Sequence, residues 1–136
     1  MLTITDGEAL ARALRSDIDH RTKSLLRLRA RQLQKDAPEE DIGDLAHFAI
    51  VQPADTPSDL ERAIGFSVFV NPADGSRQGE PDWQPGWEWI EDHGFAWELC
   101  FIMDDSGFAH VVIVPKEPGI DPSLLNLCAT HSPAHA

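Results

Sequence analysis

The chain has no tyrosine, two cysteines, two methionines and, beyond residue 35, only three basic residues against nineteen acidic ones. Each scarcity excludes something. Cys100 and Cys128 lie too far apart in sequence for the paired spacings of zinc or redox motifs, so both read as buried thiols. A chain of 136 residues can close a core with neither a disulfide nor a metal. The longest strongly apolar runs, such as Val111 to Val114, fall far short of the ~20 residues of a membrane-spanning helix. The opening MLTITDGEAL lacks the basic and apolar regions of a secretion signal, so a cytoplasmic location without membrane contact is expected. There is no Gly-x-Ser-x-Gly, no phosphate-cradling Gly-x-x-x-x-Gly-Lys and no dinucleotide fingerprint, and Ser67, Ser76 and Ser106 have no histidine and acid placed beside them. No catalytic residue, metal ligand or cofactor is assigned on these grounds, and the balance leans away from an enzyme.

What the chain has in excess is negative charge, unevenly spread. The net charge is −12, yet residues 1–35 hold eight Lys/Arg against four Asp/Glu, which leaves −16 on the remainder. A body of that sign repels nucleic acid and anionic membranes and attracts basic surfaces, over a range of ~8 Å at physiological salt. The expected partner is therefore a basic protein surface, and direct nucleic-acid binding is disfavoured.

The pattern predicts an α+β fold: a long N-terminal helix packed on a mostly antiparallel sheet of about four strands, with short extra helices. Thr5 and Glu8 have capping-box spacing, and Leu10, Leu14, Ile18, Leu25, Leu28 and Leu33 continue an apolar stripe to about Lys35, with a break near residues 20–24 open. Residues 36–44 read as a solvated acidic connection. Strands are expected at 45–52, 65–70, 95–103 and 108–114, the last two joined as a hairpin through Asp104-Asp105-Ser106-Gly107. Short helices are expected at 56–64 and 121–128, each with proline in its first turn, and one helical turn at 87–92 inside the long loop 71–86. This gives a single domain over 1–128, a basic-striped helix 1–35 and an acidic sheet body 45–128, followed by a disordered tail 129–136.

With Asp104 opposite Gly107, Trp97, Leu99, Phe101, Met103, Phe108, His110, Val112 and Val114 share one hairpin face, and Glu98, Cys100, Ile102, Ala109, Val111 and Ile113 share the other. Both faces are apolar, so both need a cover. The long helix is expected on one; the tryptophan loop, the short helices or a second subunit on the other.

Four groups of residues can carry function. Glu88, Glu91, Asp92 and His93, with Glu98 nearby, would converge if 88–92 were helical, either as a cation or acid–base site or as an ordinary solvated face. Trp83, Trp87 and Trp89 fall within seven residues and form either an aromatic platform for a partner or a small core for the loop itself. Arg27, Arg31 and Lys35, with Arg21, Lys23 and Arg29, make a basic stripe that docks on the acidic body or faces solvent. His47 and His110 sit on strands, with Glu98 on the face opposite His110; His131 and His135 receive no role. The reading that joins these groups is a small acidic, non-enzymatic binding module, of the inhibitor, immunity-protein or charge-mimic kind, engaging a basic partner through Trp83, Trp87, Trp89, Glu88, Glu91 and Asp92. Two alternatives stand beside it: an enzyme or small-ligand or metal site between the Trp83–His93 loop and the 95–114 hairpin, and a homodimer whose role is assembly.

Overall fold

The N-terminal third divides where its sequence offers the backbone competing hydrogen bonds. In the computed structural model, which describes residues 1–102 and 107–131, a short strand β1 (Leu2–Ile4) precedes helix α1 (Gly7–Arg15) and helix α2 (His20–Leu33). The single long helix is thus two. Ser16 turns both its amide and its hydroxyl back onto the Ala13 carbonyl, and Asp19 caps α2 through the Arg21 amide, so Ser16–Asp19 forms the break. The N-cap of α1 is Asp6, whose carboxylate accepts from the Ala9 amide at 2.7 Å; the expected Thr5 capping box does not form. Asp41, in the acidic connection, accepts from the amides of Gly7 and Gly43 and so ties the start of α1 to a one-turn 3-10 helix at Ile42–Asp44, where Ile42 is buried.

Strand β2 (Ala46–Ile50) follows, then α3 (Pro57–Ile64), β3 (Trp89–Asp92), β4 (Ala96–Ile102), β5 (Ala109–Pro115) and α4 (Pro122–Thr130). Helix α3 begins with a complete Thr56/Asp59 capping box and ends at Gly65 in the left-handed region, φ 89°. Helix α4 is capped by Asp121 with Pro122 next, and runs two residues into the segment expected to fray. The sheet has five strands rather than four, ordered β1-β2-β5-β4-β3, with β2 and β5 parallel and the other neighbours antiparallel. Two expectations are overturned. Residues 65–70 form no strand beyond a single Val70–Arg77 bridge, because a turn from Ser67 to Val70 lays Phe66, Val68 and Phe69 onto the sheet as cover. The expected helical turn at 87–92 is strand β3, paired from Trp89 opposite Cys100 to Asp92 opposite Trp97.

The β4–β5 register pairs Phe101 with His110 and Leu99 with Val112, which gives the two hairpin faces read from sequence. Met103 and the Asp104–Ser106 part of its turn lie outside the described residues, as do 132–136 of the tail. One face carries Phe48, Ile50, Cys100, Val111 and Ile113 under Ala13, Leu25, Leu26 and Ala30 of α1 and α2. The other carries Ala49, Trp97, Leu99, Phe101, Val112 and Val114 under Leu60 of α3, Leu124 and Leu127 of α4, Val68 and Trp83. Both apolar faces are covered within the chain. Leu28, assigned to the buried stripe, is instead 47 % exposed; Leu26 and Ala30 take the inner positions. Among the described residues no helix is long and apolar enough to cross a membrane.

Candidate functional site

Glu98 sits mid-strand in β4 on the face that α2 covers, and its side chain is wholly inaccessible to solvent. A buried carboxylate is tolerable only with a countercharge and filled hydrogen bonds. Arg29 of α2 supplies both: its Nε donates to one Glu98 oxygen at 2.7 Å and an Nη to the other at 2.9 Å. The Nε2 of His93 lies 2.8 Å from the Glu98 oxygen that this Nη meets. Arg29 also reaches Glu91 at 3.4 Å, stacks over the Trp89 indole at 4.5 Å and donates to the amide oxygen of Gln32 one turn on. The Glu98 carboxylate, as hydrogen-bond partner, raises the Arg29 pKa above its ordinary value, so the guanidinium is fixed in its charged form. Beside it, burial and then the Glu98 charge push the Cys100 thiol up to about 11.

This arrangement redistributes the sequence candidates. Because 88–92 is extended, alternate side chains part: Trp89, Glu91 and His93 turn toward α2, while Ile90 joins the opposite core and Asp92 pairs with Lys116 at 2.5 Å. Glu88, Glu91 and Asp92 therefore do not converge, and all three are exposed. Glu91, His93 and Glu98 do come together, with ligand-capable atoms within 4.8 Å of one another, but the Arg29 guanidinium already provides their cation. A divalent ion there would have to displace a bidentate guanidinium–carboxylate pair.

The tryptophans divide across the sheet as well. Trp83 is buried, donates its indole N–H to the Ser76 carbonyl at 3.1 Å and meets the His131 ring edge-on at 5.1 Å, so His131 has a packing role that sequence did not assign. Trp87 is half-buried beside Phe101 and His131 on the same side, and Trp89 lies under Arg29 on the other. They are not one platform. His47 and His110 are register partners on β2 and β5, set among Phe66 and Phe108, on the face away from Glu98. In the basic stripe, Arg29 docks inside, whereas Arg27, Arg31 and Lys35 are exposed. The Arg29–Glu98 pair was missed, although a signal for it existed: a carboxylate flanked by apolar residues in a two-sided strand demands a buried cation, and Arg29 is four residues from Leu25 and three from Leu26 on the helix expected to cover one of the two faces.

No protein-family model, curated protein or solved structure matches this chain.

Proposed function

We propose that the chain is a small acidic, non-enzymatic protein-binding module that engages a basic protein surface through β3 and the loop leading into it. An inhibitor, an immunity-type protein or a mimic of nucleic-acid charge works in this way. The observation that carries the reading is uncompensated charge. From Asp74 to Asp92 the chain has six acids and one base, Arg77, and Glu80, Asp82 and Glu88 are exposed with no cation partner among the described residues. β3 is the outermost strand of the sheet, so its free backbone edge lies beside this charge. Complementary charge of this kind speeds encounter and selects partners, while half-buried Trp87 and Trp89 supply apolar area at the contact.

The test is capture of basic proteins by the immobilised chain at low and moderate salt, set against a Glu80→Lys, Asp82→Lys, Glu88→Lys variant and a control with Arg27 and Arg31 changed to Glu. The expected result is a saturable partner, weakened by salt, lost by the lysine variant and kept by the control. Equal retention by the lysine variant, or no saturable partner, ends the reading. The homodimer alternative rested on an apolar face without cover, and both faces have one.

A further inference from the structure

A cavity of about 350 Å³ opens where the parallel strands β2 and β5 end, between the first turn of α2 and the β3–β4 turn at Gly94. That volume lies within the range of small-molecule sites. Its apolar wall is formed by Ile18, Ile50 and Phe95. Thr22, which also lines it, is 5 % exposed, and its hydroxyl makes no hydrogen bond among the described residues. No fully enclosed side-chain polar atom among those residues goes unpaired, so this hydroxyl keeps some access to solvent. A hydroxyl on a side chain this deeply buried, with solvent as its partner, can exchange that water for a ligand's donor.

The charges around the opening set the sign of that partner. Arg21 stacks on Phe95 at 4.9 Å and is held at Nε and Nη by Asp19, whose carboxyl this pairing lowers to about 2. The Lys116 ammonium is turned to Asp92 and the Trp97 ring. Glu117 remains: it feels Arg21, yet its carboxylate has no ion pair or hydrogen bond among the described residues. The chain as a whole is strongly negative, which further disfavours an anion.

We infer that this cavity binds small molecules that join a primary ammonium head to a short apolar body, the head on Glu117 with the Thr22 hydroxyl and Gln52 amide oxygen as further acceptors, and the body on Phe95, Ile18 and Ile50. An ammonium has three donors and no acceptor, which suits three acceptors and no additional cation. This site is separate from the acidic edge at β3, so its failure leaves the binding-module reading where it stands.

The test is an amide chemical-shift titration of the intact chain with phenethylamine, 2-phenylethanol and phenylacetate, which share a body and differ in the sign of the head. Phenethylamine is expected to saturate shifts at Thr22, Gln52, Phe95 and Glu117 and to bind more tightly than the other two. Thr22→Val should weaken it about three- to tenfold, and Glu117→Gln about two- to fivefold. Should Thr22→Val fold poorly, Glu117→Gln decides, since that side chain is exposed and leaves the core intact. Phenylacetate binding as tightly, shifts that never saturate, or unchanged affinity in Glu117→Gln would each overturn the inference.

Discussion

Replacing Arg29 by alanine strands Glu98 in a site with no access to water. Two charge-assisted hydrogen bonds disappear together with the stacking on Trp89, and only His93 is left beside the carboxylate. Removing one partner of a buried ion pair costs about 3–5 kcal/mol. That is a large part of a domain's total stability of about 5–15 kcal/mol. Glu98→Gln, which keeps the shape and one acceptor, should cost less, about 1–3 kcal/mol. Replacing both residues by methionine removes the uncompensated charge and should return stability to within about 1 kcal/mol of the parent, or raise it. Urea unfolding followed by tryptophan fluorescence measures all four chains, with equal slopes showing that the same surface is exposed in each. The reasoning is refuted if Arg29→Ala costs less than about 1 kcal/mol, the value of an exposed pair, or if the double methionine chain is as unstable as the two single losses added together.

Two further outcomes follow from burial. Trp83→Ala should cost about 3–5 kcal/mol, because the buried indole loses both its packing and its bond to Ser76, and Trp89→Ala should cost clearly less; the same urea titration compares them. Burial raises the thiols of Cys100 and Cys128 to about 11 and about 12, from 9.0 in each case. At pH 8 their alkylation by iodoacetamide should therefore run at least about 100-fold slower than in urea-unfolded chain. The sign for stability is that an acid whose folded pKa is raised favours folding below its unfolded pKa and loses that contribution as pH rises toward the folded value, so unfolding should become easier between pH 9 and 11. Fast labelling of the folded chain would show that the thiols are open to solvent.

The parts of the fold that sequence makes legible are those whose signal is local. Helices α3 and α4 announce themselves by a capping residue followed by proline, and the two hairpin faces by alternation on either side of a turn. Strand β3 is not local in this sense: Trp89-Ile90-Glu91-Asp92 has no clean alternation, its acids mimic helical spacing, and what makes it a strand is pairing with β4. Residues 66–70 are apolar enough for a strand, but the same composition suits a turn pressed onto a sheet, and the left-handed Gly65 directs the chain into the second. The site fails for a related reason. Glu98 was visible as a charge among apolar neighbours, whereas its partner lies 69 residues away. The carboxylates at 88, 91 and 92 were grouped by a helical period that the strand replaces with alternation.

Among the described residues, the long-range polar and ring contacts of the Arg29 side chain fall on the β3–β4 hairpin: Trp89, Glu91 and Glu98. β3 has four residues and a sheet neighbour on one side only, so α2 and this clamp hold the strand that follows the exposed acids of the loop. That gives the proposed partner interaction a test in which two physical effects oppose each other. Arg29→Ala makes the chain one charge more negative, and by long-range electrostatics alone a basic partner should associate faster. If the partner reads a β3 edge fixed by the clamp, loosening that edge adds an ordering cost to binding and the affinity should fall. The double methionine chain separates the two, because it restores an uncharged packed contact with no change of net charge from the parent. Affinity lost in Arg29→Ala and regained in the double variant, at matched salt and below the unfolding transition, assigns the effect to the geometry of the edge. Affinity that rises in Arg29→Ala assigns it to charge alone, and the clamp then has no part in recognition.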